Sequence, residues 1–335
     1  DLSRYVRMLF AKGTYKGSQI LGSASIDAMF TQQNTGNALD FDCQMGLGWF
    51  LAPCGDEPIG PGVRTYQHSG GGDDFVAQLT LLPDQQLAVV IMANDSNAED
   101  MVVSLTTDSL RLMLQAQTGK PVCADDCQAP SHGLKLRHVP AAVDRKRLAG
   151  FYATAWGVFR IRDEHARLSG ELAGYDFQLL RDEQGWLRAQ KKILGFWRKD
   201  LGELGRVQLD VVTVQGRQML TARSHGQRIA IGERIEPPPL SAAWANTVGT
   251  YQVLSSHEPD APLSGISVRQ EDGFLVIRGQ LNGEPLTDYI LLPIDNAHAV
   301  LAGNGYGLGD TVSRQVNGLS ASGYSFKRTH SPLKL

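Results

Sequence analysis

Three segments in the first third of the chain carry apolar residues at helical spacing, namely residues 1–12, 24–32 and 97–119. This recurrence predicts amphipathic helices. Each segment starts at or directly after a residue type that caps helices, and two of them end at a glycine. The predicted caps are Asp1, Ser23 and Asn97, and the predicted stops are Gly13 and Gly119. We therefore expect two short helices and, later in the chain, one long helix.

Between the second and third of these helices, the pattern becomes typical of strands. Residues 45–52 and 64–68 favour strand. Residues 75–82 and 86–93 flank the turn Pro83-Asp84-Gln85 as the two arms of a hairpin. The predicted order of helix, helix, strands, hairpin and helix indicates a mixed helix-and-strand domain.

From about Leu148 onward, the chain consists of short alternating apolar runs separated by turn residues. This texture occurs twice, on either side of the stiff segment Pro237-Pro238-Pro239. The two halves also open alike, with Gly150-Phe151-Tyr152 matched by Gly249-Thr250-Tyr251. Each half has about eight strand signals, which favours a small closed antiparallel barrel and predicts one shared topology. A pair of open sandwiches is the alternative.

Composition limits the classes of function. The chain has 335 residues, 42% of them hydrophobic and 20% charged, which suffices for two or three packed domains. Its formal net charge is −3 without a run of like charges, so we expect no nucleic-acid partner. The longest apolar run, residues 87–93, is far shorter than the roughly 20 residues that cross a bilayer, so no membrane span is expected.

Four cysteines form two local pairs, Cys43 with Cys54 and Cys123 with Cys127. Even, local pairing favours disulfides and an oxidising compartment. We therefore expect two disulfides and a periplasmic or secreted protein.

The second cysteine pair has a competing interpretation, because Cys123, Cys127, His132 and His138 are all zinc-ligand types. Zinc fingers and ribbons place a structured excursion between two ligand pairs. Here the ligand types follow one another closely, in a stretch with no strand or helix signal. A small disulfide loop or two free thiols is therefore favoured, and we expect no metal and no cofactor.

The residues with the clearest chemistry lie just before the predicted hairpin, in Tyr66-Gln67-His68-Ser69-Gly70-Gly71-Gly72-Asp73-Asp74-Phe75. A carbonyl under attack develops an oxyanion, which requires backbone N–H donors that are fixed in advance. Glycines let a substrate lie against a strand because no Cβ intervenes. The segment therefore suits a strand at the edge of an acyl-transfer cleft. A glycine-rich turn with a surface histidine is the alternative.

His68-Ser69-Gly70 resembles the third active-site motif of the serine beta-lactamase and D,D-peptidase superfamily. That motif is usually Lys-Thr-Gly, and many esterase, aminopeptidase and class C-like relatives have His in place of Lys. Further segments match, in order, those that flank the motif in the family. They are Asp1–Leu9, Ile20-Leu21-Gly22-Ser23, Gly46-Leu47-Gly48-Trp49, Leu82-Pro83-Asp84 and Val90-Ile91-Met92-Ala93-Asn94. The ordered set makes the resemblance specific, which His-Ser-Gly alone is not.

The resemblance implies roles for individual residues. The N–H of Gly71 supplies one oxyanion donor, and the N–H of the nucleophilic serine supplies the other. His68 holds a proton or a positive field beside the base of the nucleophile, and Ser69 binds a substrate carboxylate or shuttles a proton. The predicted catalytic residues are His68, Ser69, Gly70 and Gly71, and the predicted substrate contacts are Gly72, Asp73, Asp74 and Asn94.

The sequence departs from the family at the nucleophile. In such enzymes Ser-x-x-Lys and a Tyr-x-Asn-like motif precede the third motif, and neither is found there. The only Ser-x-x-Lys is Ser331-Pro332-Leu333-Lys334, where proline blocks a helix interior. We therefore expect this chain alone to be inactive, and we expect its partner to be the missing N-terminal part of the catalytic domain.

The resemblance implies an α+β fold class, with the C-terminal part of a beta-lactamase/transpeptidase-like α/β domain over residues 1–120 and a linker over 121–142. Two small antiparallel β-barrels follow, over 143–236 and 243–335, and resemble the lipocalin-like domains of some D-aminopeptidase-type members. The expected function is a serine acyl hydrolase that acts through an acyl-enzyme on a small peptide, ester or lactam substrate. The alternative is a non-catalytic ligand-binding protein built on a hydrolase remnant and two barrels.

Overall fold

The chain forms two structural units. The first comprises Asp1–Gly133 together with Ala222–Ile229, and the second comprises Leu134–Thr221 together with Ala230–Leu335. The structure is a computed structural model and describes residues 1–51, 54, 56–72, 74–122, 135–172, 175–193, 197–199, 205, 207–255, 263–281, 283–286, 288–303 and 309–330. The predicted second cysteine pair, Cys123 and Cys127, lies outside the described residues, as do His132 and the segment 331–334.

Three α-helices of the first unit occupy the segments that the apolar spacing predicted. They are α1, Leu2–Phe10, α2, Ser23–Met29, and α3, Glu99–Thr118. A two-residue hairpin follows α1, with β1 at Thr14–Tyr15 and β2 at Ser18–Gln19. Gly119 ends α3 in the left-handed conformation, with φ of 71°, as its residue type predicted.

Two of the predicted helix caps are wrong. Ser23 is already helical, and Gly22 is the N-cap of α2. The N-cap of α3 is Ala98 rather than Asn97, and Asp95 caps the turn before it, because its Oδ1 accepts a hydrogen bond from the Asn97 N–H at 2.9 Å. This contact closes a short 3-10 helix, Ser96–Ala98, that leads directly into α3.

The first unit contains one antiparallel sheet of three strands in the order β3-β4-β5. The strands are β3, Tyr66–Gly72, β4, Phe75–Leu82, and β5, Leu87–Ala93. The predicted hairpin is therefore confirmed as β4–β5. The strand predicted over residues 45–52 is wrong, because Gly48 turns the chain with φ of 73° and Phe50 forms only isolated bridges, to Met45 and to Gln67.

A helical layer covers each face of this sheet. Side chains alternate between faces along a strand, and Leu81 of β4 accordingly packs with Val6 and Leu9 of α1. Its neighbour Leu82 packs on the other face with Leu110 of α3. The sheet thus lies between α1 and α3, and only its two edges are left for backbone pairing.

The first barrel is an up-and-down sheet of eight strands in the second unit and the segment 222–229. Its strands are β6 Gly150–Thr154, β7 Gly157–Glu164, β8 Arg167–Leu172, β9 Tyr175–Arg181, β10 Leu187–Ile193, β12 Gln208–Val214, β13 Arg217–Ser224 and β14 Gln227–Ile235. Each pairs with the next, and β14 returns to pair with β6, so the sheet closes. A short additional strand, β11 Trp197–Lys199, pairs with β10.

The second barrel repeats this arrangement. Its strands are β15 Gly249–Ser255, β16 Leu263–Glu271, β17 Phe274–Leu281, β19 Tyr289–Pro293, β20 His298–Ala302, β21 Thr311–Gln315, β22 Gly318–Ala321 and β23 Tyr324–His330. Each pairs with the next, β23 returns to β15, and the short strand β18 Glu284–Pro285 pairs with β17. The prediction of two closed barrels with one topology is confirmed, and open sandwiches are excluded.

Both barrels begin in the same way, with a short helix that the sequence patterns did not predict. The helices are α4, Ala142–Leu148, and α5, Ala242–Ala245. Four residues after Leu148, the Tyr152 hydroxyl donates to the Leu148 carbonyl at 2.7 Å, and Tyr251 donates likewise to Thr247 at 2.5 Å. Burial raises the pKa of Tyr152 to about 12 and raises that of Tyr251. The similar sequences at the start of the two barrels therefore form equivalent tyrosine hydrogen bonds.

Apolar residues fill the second barrel around Trp244, which is almost completely buried. Within the second unit, Phe151 of the first barrel meets Phe274 of the second edge-to-face, with ring centroids 5.1 Å apart. None of the helices that the structure describes has the length and apolar character needed to cross a bilayer.

Candidate active site

The strand that carries the predicted motif, β3, pairs with β4 on one side only. On its other side, Gln67 exchanges two backbone hydrogen bonds with Phe50, each of 2.9 Å. Backbone groups of an antiparallel strand alternate between its two sides. The N–H and C=O groups of Ser69 and Gly71 therefore point to the same outer side as those of Gln67.

The register of β3 with β4 fits this alternation. Gly70 lies opposite Ala77, and Gly71 lies opposite Val76, without a bulge between them. Since the groups of Gln67 point outward, Gly70 is hydrogen-bonded to β4 and Gly71 is not. Beyond Gln67, the outer side of β3 has no strand partner among the described residues, so the Gly71 N–H is directed at an open edge.

The side chains of the motif are exposed. His68 and Ser69 both lie at the surface of this chain. His68 Nδ1 is 2.5 Å from the Ser69 carbonyl oxygen, and the His68 ring centroid is 6.0 Å from that of Phe50. By contrast, Tyr66 at the start of the strand is buried and stacks on Phe30. The strand therefore runs from the core out to an open edge.

The three glycines of the motif differ in the space that is available for a side chain. A Cβ placed on Gly70 meets nothing within 4 Å, and one placed on Gly71 meets only atoms of Phe75 and Val76 at 3.8 Å. A Cβ on Gly72 comes within 2.7 Å of the Phe75 ring. The first two positions thus admit alanine, while the third is restricted by packing.

The predicted substrate contacts are spread more widely than the motif. Gly72 ends β3 opposite Phe75. Asp74 is exposed in the turn, and Asp73 lies outside the described residues. Asn94 follows β5 and is exposed, and β4 separates it from β3. At the usual strand spacing this distance is about 10 Å. The structure groups His68, Ser69, Gly70 and Gly71 on one edge and leaves Asn94 two strands away.

A disulfide joins Cys43 and Cys54, as the sequence predicted, with the Cα atoms 4.8 Å apart. The loop that it closes carries Phe50, the outer partner of β3. Just before the disulfide, Asp42 binds the segment 222–229, which belongs to the same unit. Asp42 Oδ2 accepts from the Arg228 N–H at 2.6 Å, and the Asp42 N–H donates to the Arg228 carbonyl at 3.1 Å.

A cluster of polar side chains lies beside β3, and the sequence patterns did not identify it; Gln67 and Gln78 are buried, whereas Asp56 is exposed on one side. Gln67 Nε2 donates to Asp56 Oδ2 at 2.8 Å, and Gln78 Nε2 donates to Gln67 Oε1 at 3.3 Å. With Thr65 and Thr80 these residues line a small cavity against α3. The available signal was the placement of Gln67 and Gln78 in otherwise apolar strands, since buried amides require partners.

Burial raises the pKa of the Asp56 carboxyl. The hydrogen bond from Gln67 and the nearby His225 oppose this effect, and Glu99 adds to it. Among the described residues, no group of three or more His, Cys, Asp or Glu side chains could hold a metal ion.

Residues 1–111 match the family model described as Beta-lactamase. Among solved structures, the chain is similar to "Crystal structure of SurE", with 19% identity and a TM-score of 0.39 over 64% of this chain and 43% of that chain. It is also similar to the octameric penicillin-binding protein homologue from Pyrococcus abyssi, with 15% identity and a TM-score of 0.31 over 68% of this chain and 45% of that chain. The chain thus spans less than half the length of these proteins. No curated protein matches it.

The match to the Beta-lactamase family model is thus confined to residues 1–111, and two closed eight-stranded barrels follow that segment in the chain. The edge strand β3 and its glycines lie inside the matched segment.

Proposed function

We propose that the chain is the C-terminal part of a serine acyl hydrolase in which β3 lines the acyl-transfer cleft. The observation that carries this proposal is the direction of the Gly71 N–H, which points to the open edge of β3 and is not used by β4. A preorganised donor of this kind stabilises the oxyanion that forms when a serine attacks a carbonyl. His68 and Ser69 are exposed beside it and are available to a substrate.

The nucleophile comes from another part of the protein under this proposal. Ser-x-x-Lys occurs only at residues 331–334, where a proline interrupts the motif. This chain alone is therefore inactive. The substrate is a small peptide, ester or lactam, and the two lipocalin-like barrels favour the D-aminopeptidase type. The disulfide between Cys43 and Cys54 supports a periplasmic or secreted location.

The other edge of the sheet, which β5 forms, is the place where an N-terminal segment of the catalytic domain would pair. β5 is apolar throughout, and its outer edge has no strand partner among the described residues. Met92 on this strand is 68% exposed, and Leu112 on α3 is 67% exposed. An unpaired apolar edge is a template for strand pairing, and exposed apolar surface marks an interface. The N-terminal part of the catalytic domain accordingly pairs with β5 and covers these side chains.

The test compares two proteins, this chain and the product of the coding sequence extended upstream of Asp1. Both are treated with penicillin and with a fluorophosphonate that labels serine nucleophiles, and intact masses are recorded. We expect one covalent adduct on the extended protein and none on this chain. Hydrolysis of D-amino acid anilides, esters and a cephalosporin by the extended protein then identifies the scissile bond.

Two outcomes contradict the proposal. Stoichiometric labelling of this chain means that it contains a nucleophile of its own. An extended sequence without Ser-x-x-Lys and Tyr-x-Asn, giving a protein that takes up no label and turns over none of the substrates, favours the non-catalytic ligand-binding protein.

A further inference from the structure

Gln67 connects the motif strand to a carboxylate outside the strand. Its backbone makes the last outward pair of β3, with Phe50, and the outward groups of Ser69 and Gly71 follow it. Its side chain is only 9% exposed. The amide is held at both ends, since Nε2 donates to Asp56 Oδ2 at 2.8 Å and Oε1 accepts from Gln78 Nε2 at 3.3 Å.

The segment that follows Asp56 is fixed to α3. Arg111 Nη2 contacts Glu57 Oε1 at 2.8 Å and also donates to the Pro58 carbonyl at 2.8 Å. Arg111 Nε donates to the Ile59 carbonyl at 3.0 Å. On the other side of Asp56, Cys54 is tied to Cys43. Asp56 therefore lies between two segments that are held by contacts outside β3. Its position is set by those contacts and does not depend on the position of the strand.

Beyond Gln67, β3 needs a contact that fixes the position of its backbone. On its outer side, Ser69 and Gly71 have no neighbouring strand among the described residues. An oxyanion donor must be held about 2.7–3.1 Å from the developing charge, and a displacement of about 1 Å costs roughly a hundredfold in rate. Position must therefore be imposed from β4 and through the buried side chain of Gln67, whose amide binds Asp56.

We propose that Asp56 is a positioning residue for the oxyanion-donor segment Ser69–Gly71, and that it acts through its hydrogen bond with Gln67. This role rests on the proposed function. The charged groups that face it are His225 of the segment 222–229, which favours its carboxylate form, and Glu99 at the start of α3, which opposes that form.

The first test uses this chain and requires no activity. Amide hydrogen exchange is measured for the wild type, Asp56→Ala and Asp56→Asn in peptides that cover 66–72 and, as a distant reference, 289–302. Loss of a hydrogen bond to a charged group predicts that Asp56→Ala accelerates exchange of the Gln67 and His68 amides about tenfold or more. Asp56→Asn retains an acceptor oxygen and should stay within about threefold of the wild type.

The reference peptide separates anchoring from general destabilisation. Exchange in residues 289–302 should be unchanged in both variants. If Asp56→Ala leaves 66–72 at the wild-type rate, or accelerates both peptides alike, the positioning role is overturned. If Asp56→Ala does not fold, Asp56→Leu, which preserves volume without an acceptor, replaces it under the same criteria.

The second test uses the extended protein. Asp56→Ala should lower kcat about tenfold or more with KM within about threefold, because a misplaced donor weakens binding of the transition state rather than the substrate. Asp56→Asn should restore most of kcat. Equal losses in both variants overturn the role, since they assign the effect to the charge. An extended protein without any acyl-hydrolase activity refutes the proposed function instead, whereas wild-type exchange in the first test refutes only the positioning role.

Discussion

Replacement of Gly71 by proline tests the acyl-transfer role of β3 by removing one backbone N–H group. Proline removes the backbone N–H at this position and leaves the side chains of His68 and Ser69 in place. In the structure, the Gly71 N–H points away from β4, so its removal breaks no bond of the sheet. The variant therefore isolates the proposed oxyanion donor.

The expected magnitudes differ for catalysis and for stability. Loss of one oxyanion donor lowers kcat by about 10²–10³, which corresponds to about 2.7–4 kcal/mol of transition-state stabilisation. Edge strands tolerate proline where the N–H faces outward, so the free energy of unfolding should change little. Gly70→Pro should differ from Gly71→Pro in stability, because the Gly70 N–H is bonded to β4 and its loss costs about 0.5–1.5 kcal/mol or more of unfolding free energy.

The assay is acyl-enzyme formation and steady-state turnover by the extended protein, together with thermal unfolding of each variant. Gly71→Ala is the matched control, since it retains the N–H and its Cβ meets only contacts of 3.8 Å. It should remain within about threefold of the wild-type kcat. If Gly71→Pro folds like Gly71→Ala and retains wild-type kcat, β3 does not supply the donor and the assignment of this edge to the active site is wrong.

Three further predictions concern stability. Replacing Cys43 and Cys54 together by serine opens a loop with a sequence separation of 11, and the free energy of unfolding measured with denaturant should fall by about 2–4 kcal/mol. A reductant should reproduce that loss in the wild type and have no effect on the variant. Burial raises the pKa of Asp56, so its native state holds the proton more strongly than the unfolded chain does, and stability falls as pH rises from the ordinary value of 3.8 through the raised one. Asp56→Asn should therefore unfold at a higher temperature than the wild type at pH 7, and this gain should shrink towards pH 4; a gain that grows on acidification contradicts the reasoning. Tyr152→Phe and Tyr251→Phe each delete one buried hydrogen bond to a carbonyl, so each should cost about 1 kcal/mol in urea unfolding, and clearly unequal losses would argue against equivalent roles in the two barrels.

The elements that the sequence predicted well are those with a local physical cause. The hairpin β4–β5 follows from two apolar runs around Pro83-Asp84-Gln85, and the end of α3 follows from the left-handed conformation available to Gly119. The hairpins of the two barrels follow from turn residues between neighbouring strands, while each barrel closes by pairing its last strand with its first. In the hairpins and at the end of α3, the contacts that decide the structure lie close together in the sequence.

The predictions that failed depended on a turn that the strand pattern did not show and on contacts with irregular segments. Strand propensity over residues 45–52 was overridden because the turn at Gly48 brings Phe50 back to Met45 and places it beside Gln67. The contact between Gln67 and Asp56 depends on an irregular segment without periodicity. That segment's attachment to α3 through Arg111 spans more than fifty residues of chain. The sequence motif identified the edge strand, but no sequence pattern identified the side chains that hold this strand in place.

The contact between Asp42 and Arg228 has a consequence for how the protein is made. Because 222–229 belongs to the first unit, that unit is not one continuous stretch of chain. A ribosome that has completed residue 133 must add nearly a hundred more residues before the last piece is present, on the order of ten seconds of synthesis. A gene truncated after residue 133 therefore yields a protein in which Asp42 lacks its two hydrogen bonds with Arg228.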